Sequence, residues 1–167
     1  MTRQLLSEQS SQSVTAWARL LRAHASATRE LSAKLLAEHG LTINDYECLL
    51  HLSHAEDGSM RRVDLAERLM LTPSGVTRLL DGLERDGWVR KGQCDSDARV
   101  TYAVLTDSGR AKLEQASCSH VAAVSQLFGE RFDDDELEAL ASLLGRLPGA
   151  DGDPEECTAG GGQDSGE

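Results

Sequence analysis

The sequence contains few aromatic residues and few cysteines. Aromatic residues make up 4% of the 167 residues, so the core must consist mainly of Leu, Val and Ala, a composition that favours helices. The four cysteines, Cys48, Cys94, Cys118 and Cys157, are scattered and form no CxxC pair. No apolar run approaches the ~20 residues that span a bilayer, and the first residues lack the apolar segment of a signal peptide. We therefore expect a cytoplasmic protein with reduced thiols and no membrane partner.

The motifs of common enzyme classes are missing as well. The chain has no G-x-S-x-G element, P-loop, dinucleotide fingerprint or metal-protease motif. We therefore do not expect an enzyme, and no cofactor is predicted.

The charge is strongly negative but unevenly distributed. The net charge is −11, which by itself argues against a polyanionic partner such as nucleic acid. Residues 60–102, however, contain eight Lys or Arg and seven Asp or Glu, a balance of +1, so the rest of the chain carries −12. The acidity therefore lies outside residues 60–102.

The central segment, from Val63 to Thr106, is predicted to form a helix, a tight turn, a helix and two short strands. Its first helix covers roughly residues 61–69, with the apolar side chains of Val63, Leu65, Ala66 and Leu69 facing inward. In its second helix, Thr72 is a good N-cap and Pro73 suits the first helical position. An apolar face predicted to lie in the core is formed by Val76, Leu79, Leu80 and Leu83. This order of elements is typical of a winged helix-turn-helix, which places one helix in the major groove of DNA.

Further helices are predicted on both sides of this segment. An N-terminal helix is expected from Ser13 to a C-terminal cap at Gly40, and another helix begins at Thr42 with an imperfect capping box. A long helix follows Thr106, and a last one follows the acidic run at residues 133–136. The buried face expected for that last helix consists of Leu137, Leu140, Ala141, Leu144 and Leu147.

These segments together resemble the MarR family of winged helix-turn-helix transcriptional regulators. The matching stretches are LTINDYECLLHL (41–52), RRVDLAERLMLTPSGVTRLLDGLERDGWVRK (61–91) and the DxR element Asp97-Ala98-Arg99 that leads into VLTDSG (104–109). The resemblance covers roughly residues 13–147. One departure is Met70, at a turn position that often holds Gly.

The resemblance implies a mainly α fold with a small β wing and an obligate homodimer whose N- and C-terminal helices interlock. The organisation it implies is a flexible N-terminus (1–11), a dimerisation helix (12–40), a winged helix-turn-helix domain (41–105), dimerisation helices (106–148) and a disordered acidic tail (149–167).

A set of polar and basic residues forms the candidate DNA surface. Arg78 can donate two parallel hydrogen bonds to a guanine, and Gly75 permits close approach of the helix. By resemblance, Arg99 enters the minor groove and Asp97 orients it. The candidate DNA contacts are Arg61, Arg62, Thr72, Ser74, Gly75, Thr77, Arg78, Asp97 and Arg99.

The leading hypothesis is a ligand-responsive repressor that binds a palindromic operator as a homodimer. The alternative is a winged-helix protein-interaction module that has lost DNA binding, which the near-neutral charge of the central segment favours. A small-molecule effector would use an aromatic side chain together with cationic groups. The candidate effector contacts are Trp17, Arg22, His24, His51 and His54.

Two other signals stay open as alternatives. Zinc would use His51 and His54 with Glu47, and Cys118 and His120 in another helix could contribute. Thiol sensing would require a cysteine with a lowered pKa and access to solvent, and none of the four cysteines has a flanking basic cluster.

Overall fold

The computed structural model describes residues 2–93 and 101–150. Its helices are α1 (Thr2–His39), α2 (Ile43–His54), α3 (Arg62–Arg68), α4 (Pro73–Arg85), α5 (Asp107–Gly129) and α6 (Asp134–Leu144). Its strands are β1 (Ser59–Arg61), β2 (Val89–Gln93) and β3 (Thr101–Leu105). The mainly helical fold with a small sheet confirms the predicted class. Within the described ranges, no helix is long and apolar enough to cross a membrane.

Helix α1 begins earlier than the sequence predicted. It starts at Thr2 rather than near Ser13, and so includes most of the segment expected to be flexible. The reason is local, because residues 2–12 contain no Gly or Pro that would interrupt a helix. The predicted end is confirmed: Gly40 adopts a φ of +68° and donates to the carbonyl of Leu36 at 3.0 Å.

The capping residues of the central helices are confirmed. The hydroxyl of Thr42 accepts from the backbone N–H of Asp45, whose carboxylate in turn accepts from the Thr42 N–H, a complete capping box. Helix α4 starts with Thr72 as N-cap and Pro73 at its first position. It ends at Arg85 with Asp86 as C-cap. The next residue, Gly87, has a φ of +77°, and Trp88 N–H donates back to the carbonyl of Leu83 at 2.9 Å.

Strand β1 was missed by the sequence analysis. The sheet is antiparallel in the order β1-β3-β2, with Ser59 opposite Val104 and Arg61 opposite Tyr102. Three residues are too few to show an alternating pattern, and this strand forms only because β3 lies beside it. It is the edge strand on the side of β3 opposite to β2.

The core lies between α2, α3, α4 and the sheet, and it continues to Leu35 of α1 and to Leu113 and Ala116 of α5. Its fully buried side chains include Leu41, Leu49, Leu52, Leu65, Val76 and Leu83. The expectation that Val63 points inward is wrong, since 64% of this residue is exposed. It lies instead beside an open apolar concavity of about 540 Å³ between α3 and α4, which Met70 also lines.

Met70 occupies the turn between α3 and α4 in a left-handed conformation with φ +50°. This is the turn position that often holds Gly in the resembled family, and Met70 adopts there the left-handed conformation that glycine favours. Its side chain makes little use of the core, because 86% of the residue is exposed.

The apolar face of α6 is not buried within the chain. The expected buried face, Leu137 to Leu147, has no fully buried residue, and 44% of Leu147 is exposed. The N-terminus of α6 is capped, because Asp133 and Glu136 form a capping box. The periodicity correctly predicts an apolar face, but within the described ranges no element of the same chain covers it.

The start of α5 packs directly on the turn after α4. Thr106 caps α5, and its hydroxyl lies 2.7 Å from the carbonyl oxygen of Gly87. Ser108 donates to the same carbonyl at 2.7 Å. Gly109 faces the backbone of Trp88 so closely that a Cβ would overlap the Trp88 carbonyl oxygen. We call this contact the α4–α5 clamp.

Replacing Gly109 by Ala should therefore destabilise the fold by about 1–3 kcal/mol, because the neighbouring atom is backbone and cannot move aside as a side chain could. Gly129→Ala is the matched control, since a Cβ at the last residue of α5 meets no atom within 4 Å. The control should leave stability unchanged or raise it slightly. Urea unfolding of both variants measures this, and equal midpoints would show that the clamp is not tight.

Candidate nucleic-acid interface

The solvent-facing side of α4 carries the predicted base-reading residues. Ser74, Thr77 and Arg78 are exposed, while Val76, Leu80 and Leu83 anchor the opposite side in the core and Leu79 is half-buried. Among the described residues, Arg78 forms no ion pair or hydrogen bond. Its guanidinium therefore keeps all its donors for an external acceptor.

Thr72 and Gly75 act together at the start of α4. The Thr72 hydroxyl accepts from the Gly75 N–H at 3.1 Å, and it lies 3.2 Å from the Ser74 hydroxyl. A Cβ on Gly75 would lie 3.2 Å from the Thr72 Oγ1, which is tighter than usual. The absence of a side chain on Gly75 therefore leaves space for the Thr72 hydroxyl, and it also permits a close approach of DNA to the helix.

Arg62 links the start of α3 to α4. Its Nη2 donates to the Thr77 hydroxyl at 2.8 Å, and that hydroxyl donates to the carbonyl of Pro73 at 2.9 Å. The polar end of Thr77 is thus engaged within the protein. Arg62 retains further N–H donors, so it can hold α4 in place and still bind a phosphate.

Arg61 is engaged by a carboxylate. Its Nε and Nη2 donate to the two oxygens of Asp64 at 2.7 and 2.8 Å, a bidentate pair. The hydrogen bond and charge of Asp64 raise the pKa of Arg61. One of the predicted phosphate contacts is therefore already paired within the molecule.

Lys91 contacts the acidic residues of α4, an arrangement that the sequence analysis did not identify. Its Nζ lies 2.9 Å from a carboxylate oxygen of Glu84 and 3.7 Å from one of Asp81. The hydrogen bond and charge of Glu84, followed by the charge of Asp81, raise the pKa of Lys91. No spacing in the sequence could reveal this, because it depends on how β2 lies against α4.

The wing residues lie between the two strands. β2 and β3 pair from Val89 opposite Leu105 to Gln93 opposite Thr101. Asp97 and Arg99 fall between these strands, outside the described residues, as does Cys94. Their roles therefore remain predictions from the sequence.

The effector candidates are distributed over two helices. Trp17, Arg22 and His24 are exposed on α1, whereas His51 is half-buried and His54 exposed on α2. The structure brings His24 close enough to Glu47 on α2 for their charges to interact. Burial raises the pKa of Glu47, and the charge of His24 opposes that rise. Within the part of the chain that the structure describes, no three His, Cys, Asp or Glu side chains form a group that could hold a metal ion.

The described cysteines differ in environment. Cys48 is buried, and burial followed by the charge of Asp45 raises its pKa to about 12. Such a thiol is not a reactive thiolate at neutral pH. Cys118 is exposed on α5, and Cys157 lies outside the described residues.

A partly buried polar cluster that the sequence did not predict connects α1, α2 and α5. Tyr46 donates to the Ser117 hydroxyl at 3.3 Å, and its ring centroid lies 4.5 Å from that of His120. His39 Nε2 lies 2.6 Å from the Ser119 hydroxyl. Helix α2 belongs to the predicted winged domain and α1 and α5 to the flanking helices, so this cluster joins the two parts.

Known proteins are similar to this chain in sequence and in fold. Residues 41–101 match the sequence model of the MarR family. The chain is 34% identical over 111 residues to the transcriptional repressor YetL of Bacillus subtilis (strain 168), an alignment that spans 66% of each protein.

Solved structures are similar over a longer range. The MarR family transcriptional regulator AbsC of Streptomyces coelicolor is 35% identical, with a TM-score of 0.70 over 78% of this chain and 87% of AbsC. The regulator Sco3205 of the same organism, solved in complex with DNA, is 27% identical, with a TM-score of 0.73 over 80% of this chain and 83% of Sco3205.

His120 should make stability depend on pH. Burial lowers its pKa from 6.5, and its Nδ1 lacks a hydrogen-bond partner among the described residues. As the pH falls below 6.5, the unfolded chain therefore binds a proton before the folded one does, and stability decreases. In His120→Gln this part of the loss should disappear, while the contributions of the other histidines and of Glu47 stay the same. Urea unfolding from about pH 7.5 to pH 5 compares the slopes, and parallel slopes would contradict the assignment.

Proposed function

This chain belongs to the MarR family of transcriptional regulators, and we propose that it is a repressor that binds a palindromic operator as a homodimer. The observation that carries the proposal is the exposed face of α4, where Arg78 has no partner among the described residues and the helix is anchored by three buried apolar residues. The relatives are regulators, so the chain is a regulator rather than an enzyme.

In this proposal α4 reads the major groove. Arg78 donates hydrogen bonds from both of its terminal nitrogens to a guanine, a contact worth about 1–3 kcal/mol of discrimination against other bases. Ser74 lies one turn earlier on the same side and reaches a neighbouring base or phosphate. Arg62 braces α4 through Thr77 and contacts the backbone of the DNA.

The wing contributes the second reading element. Arg99 enters the minor groove beside the major-groove site, and Asp97 holds its guanidinium by an ion pair. Support for this assignment comes from the DxR element in the sequence and from the two strands that lead into and out of it. A narrow minor groove concentrates negative potential and so attracts an arginine.

Exposed apolar residues on the terminal helices support the homodimer. On α1, 59% of Trp17 is exposed, and Val14 and Leu21 are also exposed; at α6, 58% of Leu143 is exposed. Burying such side chains against a second copy would gain about 25 cal/mol per Å² of apolar surface. A two-fold axis then places two copies of α4 about one turn of DNA apart, which requires a palindromic site.

The repressor role is supported by the similarity to YetL, which is described as a repressor. The DNA-bound state of Sco3205 supports duplex DNA as the partner of this fold. For an effector, the proposed site is the region between α1 and α2, where His24 approaches Glu47 beside His51.

A second function is favoured by a separate observation. Arg61 is paired with Asp64, and Lys91 with Glu84, so two basic groups of the proposed DNA surface are already neutralised. A winged-helix protein that binds a protein partner instead of DNA would have such a surface. The salt dependence of DNA binding separates the two functions, because phosphate contacts release counterions and give a steep slope.

Arg78 variants test the reading helix. On an operator recovered by selection from random duplexes, Arg78→Ala should weaken binding about 5- to 150-fold and lower the dependence on salt. Arg78→Lys is the matched control that keeps the charge. It should preserve the salt slope but reduce the preference for the guanine, because an ammonium lacks the planar fork of a guanidinium; fluorescence anisotropy on wild-type and substituted duplexes measures both. If wild-type protein selects no duplex, the interaction-module alternative replaces the proposal.

Leu144→Glu tests the homodimer. A charge on the apolar face of α6 should shift the protein from twice 18.0 kDa to 18.0 kDa in sedimentation and abolish tight operator binding. Ser142→Glu introduces the same charge on the other side of the helix and should leave the mass unchanged. A wild-type protein that sediments as a monomer at micromolar concentration would contradict the dimer.

A further inference from the structure

Helix α4 carries acidic residues beside its proposed base-reading side chains. Thr77 follows Ser74 by three residues and Asp81 follows Thr77 by four, which places all three on the same side of the helix. Glu84 follows one turn later. A carboxylate there would repel the phosphates of a bound duplex, so the proposed DNA surface contains a repulsive element.

Lys91 lies against this element. Its ammonium is 2.9 Å from a Glu84 oxygen and 3.7 Å from an Asp81 oxygen, and both contacts cross from β2 to α4. One cation beside two carboxylates reduces their combined charge from −2 to −1. An ammonium hydrogen-bonded to Glu84 has fewer donors left for a phosphate.

We propose that Lys91 is a positioning residue that neutralises the Asp81 and Glu84 carboxylates of α4 and fixes β2 against that helix, rather than a phosphate contact. The inference rests on the proposed DNA-binding function. It explains how a nearly neutral segment can approach DNA, since Lys91 offsets the two carboxylates of α4 that lie beside the base-reading side chains. It also links the two reading elements, because β2 leads from α4 into the wing.

A mutant cycle tests this assignment on the full-length protein. The variants are Lys91→Met, the double variant Asp81→Asn with Glu84→Gln, and the triple variant that combines all three changes. Affinity for the selected operator is measured at several salt concentrations, and the melting temperature of each variant is recorded.

If Lys91 neutralises the carboxylates, Lys91→Met should weaken binding about threefold to tenfold in the wild-type background. The double variant should bind as tightly as wild type or more tightly. In the triple variant the cost of losing Lys91 should fall to about twofold or less, because no carboxylates remain to be neutralised. Lys91→Arg should restore wild-type affinity.

A phosphate contact would give a different pattern. Lys91→Met would then cost the same in both backgrounds, and its salt slope would fall by about 0.9 relative to wild type. That result, or an absence of any effect of Lys91→Met, overturns the inference while leaving the proposed function intact.

Lys91→Met could be destabilised, which its melting temperature would show. The affinity of the double variant then decides, because a double variant that binds more weakly than wild type contradicts a repulsive role for the carboxylates. If the wild-type protein binds no operator, the proposed function itself fails.

Discussion

The packing of the α5 N-terminus on the turn after α4 is the contact on which the rest of the structure depends. Gly109 allows backbone to lie against backbone at Trp88, and the hydroxyls of Thr106 and Ser108 bind the carbonyl of Gly87. Through this clamp the end of the proposed recognition helix is held by the longest C-terminal helix. The clamp therefore couples the position of α4 to that of α5.

Charge is organised by pairing rather than by a basic patch. The chain as a whole is strongly acidic, and the acids nearest the DNA surface are each held by a cation: Asp64 by Arg61, and Glu84 by Lys91. Arg78, without a partner among the described residues, is then a cation available to an external acceptor on the exposed side of α4.

Local signals in the sequence predicted most helix boundaries of the fold. The N-caps at Thr42, Thr72 and Thr106 and the glycines at positions 40 and 87 act through hydrogen bonds within a few residues, so their effect is readable from the sequence. The errors share a different cause. Strand β1 depends on pairing with β3, and the inward or outward direction of Val63 depends on where α4 lies. The apolar face of α6 follows from its periodicity, but its lack of cover among the described residues depends on where the other helices lie.

The features of the candidate site also divide into those that local signals predict and those that depend on packing. The sequence by itself determined that Thr72 caps α4 and that the helix begins at Pro73. It also determined that the apolar side of α4 is buried and that Arg78 lies on the opposite side, because helical periodicity fixes directions along one element. Only the tertiary structure decided which side chains meet across elements: Lys91 with Glu84, and Tyr46 with Ser117. These pairs are 7 and 71 residues apart. Their contact follows from the packing of β2 on α4 and of α5 on α2, and no local interaction encodes that packing.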